Sequence, residues 1–127
     1  MPVVTALYAG ILGLMNCYIA FLAGSLRGRL KISVGDGGNK ELLVAMRRHG
    51  NFIEFVPLGL VLIALLEMNG VTSVAIHALG AGLVVTRVCH AMGLEADSLS
   101  NPLRGIGAAG STLVIAVASI WLIVSFF

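Results

Sequence analysis

The segment "RRHGNFIE", from Arg47 to Glu54, places side chains of both charge signs at the start of a long apolar run. At about 100° per residue, Arg47, Asn51 and Glu54 lie within about 60° of one another on a helix, whereas Arg48 and His49 project elsewhere. A carboxylate within apolar sequence costs about 2.5–3.5 kcal/mol in a bilayer, so we expect Glu54 to face the bundle interior and contact a cation. The spacing predicts a polar stripe on one face of a membrane helix.

A second polar pair, Arg87 and His90, is spaced three residues apart in "TRVCHAMGL". We predict that Arg87 is the cation that pairs with Glu54, and that Arg104, at the start of the last apolar segment, joins the same cluster. The alternative is a buried polar network that only fixes the register of the helices. Convergence of five such residues, together with Arg104, favours a binding site.

The residue types in this cluster suit a small zwitterion with several carboxylates, such as a peptide-like acid. Guanidinium groups bind carboxylates through paired hydrogen bonds, and a glutamate can receive an ammonium group. Metal binding is the competing interpretation, with possible ligands His49, Glu54, Cys89 and His90. Neighbouring cations would repel a divalent ion, and no two ligands have the i, i+4 histidine spacing of helical zinc sites. We therefore expect no metal.

The composition indicates which kind of secondary structure carries these polar residues. Charged residues make up 11% and hydrophobic residues 58% of the 127-residue chain, and the mean hydropathy is +1.01. A bilayer core needs about 20 apolar helical residues per crossing, and backbone polar groups in lipid must be satisfied within the helix. We predict one domain spanning residues 1–127: an all-α, integral membrane four-helix bundle with helices at about 3–26, 41–68, 71–94 and 106–127.

The basic residues indicate the orientation of this bundle. All eight lie in or near two polar loops, around residues 27–40 and 95–104, whereas the turn near residue 70 and both termini carry none. The eight are Arg27, Arg29, Lys31, Lys40, Arg47, Arg48, Arg87 and Arg104. The positive-inside rule predicts that these loops are cytoplasmic and that both termini are periplasmic. No nucleic-acid-binding motif accompanies the charge, so we expect no nucleic-acid partner.

Three motifs together carry a family resemblance. "RRHGNFIE" resembles the Arg-x-His-x-Asn-x-x-Glu signature of the membrane-associated proteins in eicosanoid and glutathione metabolism, the MAPEG family. The match extends to "RVCH" in the third helix and "NPLRG" before the fourth. "GDGG" and "LEMNG", on either side of the signature, are most similar to a small bacterial branch, the YecN-like inner-membrane proteins.

The resemblance implies a homotrimer in the bacterial inner membrane, with glutathione bound as co-substrate between protomers near the cytoplasmic face. It implies a glutathione transferase or peroxidase that acts on small hydrophobic electrophiles or lipid hydroperoxides. Arg104 matches the arginine that activates the thiol. The positions matching the family's glutathione-binding or signature residues are Arg27, Arg47, His49, Asn51, Glu54, Arg87 and His90.

The chain also departs from the family synthases at four positions. Gly50 stands where they have an arginine, Leu94 where they have a tyrosine, and Gly105 and Ala108 where they have a serine or tyrosine. Fewer donors and no stacking ring imply weaker glutathione binding. A non-catalytic membrane scaffold that binds lipid or a thiol is therefore the alternative function.

Another class of similar size is the small four-helix exporter, which couples transport to a membrane glutamate. The first predicted helix here has no acidic residue, which argues against that class.

Four other positions carry structural expectations. We expect Glu67, before Asn69 and Gly70, to be a solvated loop residue, and His77 to be a hydrogen-bonded residue of the third helix. Gly107 and Ser111 are predicted to form a close-packing face on the fourth helix.

Overall fold

The computed structural model describes residues 1–98 and 100–127. These residues form four helices: α1 (Val3–Leu30), α2 (Lys40–Met68), α3 (Ser73–Gly93) and α4 (Pro102–Val124). Each is long and apolar enough to cross a membrane, and no strand occurs in the described part of the chain. The predicted all-α class with four membrane helices is confirmed.

The observed helix bounds lie within three residues of those predicted from sequence, except at two helix ends that each differ by four residues. Helix α1 continues four residues beyond position 26 and ends where Lys31 adopts a left-handed conformation with φ 56°. Helix α4 begins at Pro102 rather than Ile106, because Asn101 accepts a hydrogen bond from the Leu103 amide and proline suits the first helical position. These extensions carry Arg27 and Arg104 inside helices instead of loops.

Helices α2 and α3 form the centre of the bundle. The two helices contact each other, and each also contacts α1 and α4. Among the described residues, α1 and α4 do not contact each other. Consecutive helices run in opposite directions, so the two polar loops meet at one end, where Lys40 Nζ lies 2.7 Å from Asp97 Oδ1. The apolar core is formed by Leu12, Ile19, Phe52, Val56, Ile63, Leu66, Ile76, Leu83 and Ala118.

The contact between α3 and α4 depends on glycine. A Cβ atom at Gly107 would overlap the backbone of His90, and one at Gly110 would overlap the side chain of Thr86. Ser111 is fully buried between the same helices. The predicted close-packing face of Gly107 and Ser111 is confirmed, and it brings the two helix backbones close together.

The expectation for Glu67 is wrong. Glu67 lies in the last turn of α2. One of its carboxylate oxygens accepts a hydrogen bond from the Val4 amide at 2.8 Å. The other accepts hydrogen bonds from the Thr5 amide at 2.8 Å and the Thr5 hydroxyl at 2.6 Å. The first amides of a helix have no partners within it, and a carboxylate there also suits the helix dipole. Glu67 therefore caps α1 from a neighbouring helix.

His77 is hydrogen bonded, as the sequence predicts. Its Nδ1 atom lies 2.9 Å from the hydroxyl of Tyr8, and the two rings meet edge to face. A Cβ atom at Gly80 would overlap the Tyr8 ring, so the lack of a side chain at this position lets the ring pack between α1 and α3.

Candidate functional site

A polar cavity of about 340 Å³ opens at the end of the bundle that carries the two polar loops. Arg47 and Asn51 reach it from α2, His90 from α3 and Arg104 from α4. The remaining lining residues are Leu43, Val44, Leu94, Glu95 and Ala96. Four of the eight site residues predicted from sequence are therefore brought together around one cavity.

Arg104 is positioned by the first turn of α4. Asn101 and Pro102 fix the start of this helix, and a Cβ atom at Gly93 would overlap the Arg104 backbone, so the helix start packs directly against the end of α3. One guanidinium nitrogen, Nη1, donates to the Ser98 carbonyl at 3.3 Å. The other donors of Arg104 make no hydrogen bond within the described residues, so they are available to a ligand.

His90 is held against α4 by the same glycine-dependent packing. It is 7% exposed, and its backbone lies where a Cβ atom at Gly107 would be. The imidazole reaches the cavity from α3, and in the part of the chain that the structure describes it makes no hydrogen bond. The cavity thus combines two guanidinium groups, one amide and one imidazole with the carboxylate of Glu95.

Arg87 lies behind this cavity and is 2% exposed. Its Nε donates to Ser111 Oγ at 2.7 Å, Nη2 to the Gly107 carbonyl at 2.8 Å and Nη1 to the Asn51 carbonyl at 3.3 Å. Its guanidinium carbon also lies 4.8 Å from the centroid of the Phe55 ring. Arg87 therefore links α2, α3 and α4 through neutral acceptors and supports the cavity wall.

The predicted pair of Glu54 and Arg87 is not formed. Glu54 is exposed on the surface of the single chain, and Lys40–Asp97 is the ion pair found among residues 1–98 and 100–127. The reason is helical geometry: Phe52 and Val56 are buried, and a residue two positions from each lies about 200° away around the helix. Glu54 consequently points away from the bundle interior.

Arg27 and His49 also lie outside the cavity. Arg27 Nη1 donates to the carbonyls of Ile32, Ser33 and Gly35, at 3.4, 3.3 and 2.9 Å. Its Nη2 contacts the sulfur of Met46 at 3.1 Å. Arg27 thereby ties the loop after α1 to α2. His49 is half-buried and is not among the cavity residues.

Two contributors to the site were missed by the sequence reasoning. Glu95 borders the cavity and accepts a hydrogen bond from Asn101 Nδ2 at 2.9 Å, and its place in the second polar loop was the available signal. Ser111 accepts a hydrogen bond from Arg87 and so helps to position that guanidinium behind the cavity. In the sequence, its spacing of four residues from Gly107 indicated only helix packing.

The described residues contain no group of three histidine, cysteine or acidic side chains placed to hold a metal ion. Cys17 and Cys89 are both free thiols.

The fold and the cavity define a four-helix membrane protein with a cationic pocket at one end of the bundle. The chain belongs to the MAPEG family, whose model matches residues 5–124. It is similar to a protein of Escherichia coli (strain K12) named inner membrane protein YecN, with 34% identity over 119 residues that cover 93% of this chain and 91% of that protein. The protein of the same name from Escherichia coli O6:H1 (strain CFT073) has the same identity and coverage.

No solved structure matches the chain. The family match and these relatives confirm the MAPEG resemblance and its YecN-like branch. With four apolar helices, they support a multi-pass protein of a bacterial inner membrane.

Proposed function

We propose that the protein is a membrane-embedded, glutathione-binding enzyme that transfers glutathione to small hydrophobic electrophiles or reduces lipid hydroperoxides. The observation that carries this proposal is the convergence of Arg47, Asn51, His90 and Arg104 on one cavity. Family membership adds support, because the family resemblance noted in the sequence implies glutathione chemistry at these positions.

The cavity chemistry suits a tripeptide with two carboxylates and one ammonium group. Arg47 and Arg104 offer guanidinium groups to the carboxylates, and Asn51 offers an amide that can pair with a peptide group. Glu95, also at the cavity, is the carboxylate placed to receive an ammonium group. In this proposal Glu95 takes the role that sequence reasoning gave to Glu54.

Arg104 is the proposed activator of the thiol. A free thiol has a pKa near 8.5, and lowering the pKa of the bound thiol by about two units requires about 2.7 kcal/mol. One charged hydrogen bond supplies about 1.5–3 kcal/mol, so a single arginine is sufficient. In transfer, the thiolate sulfur forms a bond to the electrophilic carbon, and the leaving group departs with the electron pair.

In the peroxidase reaction, the thiolate sulfur attacks the terminal peroxide oxygen and the O–O bond breaks. The alkoxide takes a proton and leaves as an alcohol, and glutathione sulfenic acid remains. A second glutathione then reacts with the sulfenic acid to give the disulfide and water. The oxidant and both reductants are thus substrates, and no metal is needed to balance the reaction.

A homotrimer is part of the proposal. Glu54 shares the outward face of α2 with Leu58, Val61 and Leu65, all of which are exposed. A carboxylate facing lipid within a membrane helix costs about 2.5–3.5 kcal/mol, so a neighbouring protomer that covers Glu54 is favoured. Such a protomer would also complete the cavity, which is open in the single chain.

The test of assembly is the mass of the complex in a mild detergent. We expect trimers for the native chain and a reduced trimer fraction for Glu54→Leu, which keeps the side-chain size but removes the polar group. A native chain that is only monomeric or dimeric would contradict the trimer.

The test of activity combines calorimetric glutathione binding with conjugation of a generic electrophile. We expect Arg104→Ala to keep glutathione affinity within a few-fold while the conjugation rate and the thiolate ultraviolet absorbance fall. Asn51→Ala should instead weaken binding. Lys40→Ala is the matched control, because it removes a cation from the same end of the bundle where Lys40 makes only an exposed ion pair. Full turnover by Arg104→Ala would contradict its assignment.

A non-catalytic thiol-binding scaffold is the second proposal. It is favoured by one feature of the cavity: Leu94 lies at its wall, and none of the described residues that line the cavity is aromatic. Glutathione binding without turnover in the native protein would support the scaffold over the enzyme, whereas no binding at all would exclude both.

A further inference from the structure

Arg47 and Arg48 are adjacent in sequence but open onto different cavities. Arg47 lines the polar cavity described above, whereas Arg48 lines an apolar groove of about 330 Å³ between α1, α2 and α3. Met15, Ile19 and Val88 form part of the groove wall. Among the described residues that line this groove, Arg48 is the single charged one.

Arg48 also borders a second cavity nearer the polar loops, lined in part by Ser25, Arg29 and Glu41. Leu22 and Ala45 border both spaces. On α1 and α2 the lining residues recur at spacings of three and four, so they follow one continuous face of each helix. The two spaces therefore form one groove, polar at the loop end and apolar deeper in the bundle, with Arg48 where they join.

The guanidinium of Arg48 has hydrogen-bonding capacity to spare. Nη2 donates to the Leu94 carbonyl at 3.0 Å, and Nε is enclosed without an acceptor. Within residues 1–98 and 100–127, Arg48 makes no ion pair. A cation at the polar edge of an apolar groove favours an anionic ligand, and a guanidinium suits phosphate particularly well.

The groove opens sideways toward the surrounding lipid. Tyr18 and Met92 line it and are 62% and 65% exposed in the single chain. Its volume is at the lower end of the roughly 300–1,000 Å³ of ligand pockets, which suits one acyl chain rather than two. Two arginines and Glu41 leave one net positive charge at the polar end, which matches one phosphodiester.

We propose that this groove binds an anionic phospholipid of the surrounding membrane, with its phosphate between Arg29 and Arg48 and one acyl chain along the apolar part. In the described part of the chain, this site shares no lining residue with the proposed glutathione cavity, so the proposal does not rest on that function.

The test places a fluorescent reporter in the groove. Tyr18→Trp combined with Trp121→Phe leaves one tryptophan, at the groove rim. The protein is reconstituted in vesicles of equimolar phosphatidylglycerol and phosphatidylethanolamine, with either lipid carrying brominated acyl chains that quench nearby tryptophan. Each arginine near a membrane surface contributes roughly a fivefold preference for an anionic lipid. We expect brominated phosphatidylglycerol to be enriched about fivefold over phosphatidylethanolamine at this reporter.

Three substitutions in the reporter chain test the charges. Arg48→Gln should bring the preference close to one, and Arg29→Gln should reduce it while leaving the hydrogen bond of Arg48 to Leu94 in place. Glu41→Gln should raise the preference, because it removes the carboxylate that repels phosphate. The native chain, whose single tryptophan is Trp121 on α4, is the control and should show a weaker preference.

Equal quenching by the two lipids at the groove reporter would overturn the proposal, and so would a preference unchanged by both arginine substitutions. A preference at Trp121 as strong as that at the groove would also overturn it, since the enrichment would then be a general property of the protein surface.

Discussion

Arg87 Nε donates to Ser111 Oγ at 2.7 Å between two helices, and both residues are buried, with 2% and 0% exposure. The serine hydroxyl also lies 2.9 Å from Thr86 Oγ1. A guanidinium enclosed in this way is satisfied by neutral oxygens instead of a carboxylate. The stability of the bundle is thereby linked to the residues that support the polar cavity.

We predict that Ser111→Ala destabilises the protein by about 1–3 kcal/mol, because it leaves a buried charged donor without its acceptor. Thermal unfolding in detergent, followed by circular dichroism, measures the change. Thr112→Ala is the control, because the hydroxyl of this exposed neighbour donates to the Ala108 carbonyl of its own helix and bonds to no other helix among the described residues. Equal unfolding temperatures for the two variants would show that the hydrogen bond between Arg87 and Ser111 does not stabilise the protein.

Glu67→Ala should lower the unfolding temperature, because the first amides of α1 lose their acceptors. Hydrogen exchange should locate the effect, with faster exchange at the amides of Val4 and Thr5. Asp97→Asn, which removes only an exposed ion pair, should change neither quantity. Unchanged exchange at Val4 and Thr5 in Glu67→Ala would rule out the cap.

Gly107→Ala should separate α3 from α4, because its Cβ atom would overlap the backbone of His90. Overpacking of this kind costs about 1–3 kcal/mol, and the displacement of His90 should also weaken any ligand bound in the cavity. Gly105→Ala is a matched control two residues away on the same helix, where a Cβ atom meets nothing within 4 Å. Equal stability of the two variants would contradict the close approach.

The distribution of basic residues predicts that both polar loops are cytoplasmic and both termini periplasmic. A reporter that is active only in the periplasm should therefore be active when fused to either terminus and inactive when inserted near Gly37. Reporter activity near Gly37, or a lack of reporter activity at both termini, would contradict this orientation.

The sequence by itself determined the membrane class, the four helices and the family. Apolar runs of sufficient length allow few other structures in lipid, and the family signature depends on local spacing. It also placed Arg47, Asn51, His90 and Arg104 at one end of the bundle, because helix length fixes depth.

Only the tertiary structure decided which way the side chains point around each helix. In a membrane bundle the lipid-facing and core-facing sides are both apolar, so periodicity does not distinguish them. The sequence therefore led to the prediction that Glu54 faces the interior and contacts Arg87. In the structure Phe52 and Val56 are the buried residues of this part of α2, so Glu54 faces outward. Likewise, the carboxylate of Glu67 reaches Thr5, 62 residues away in sequence, a contact that exists only because α1 and α2 pack side by side.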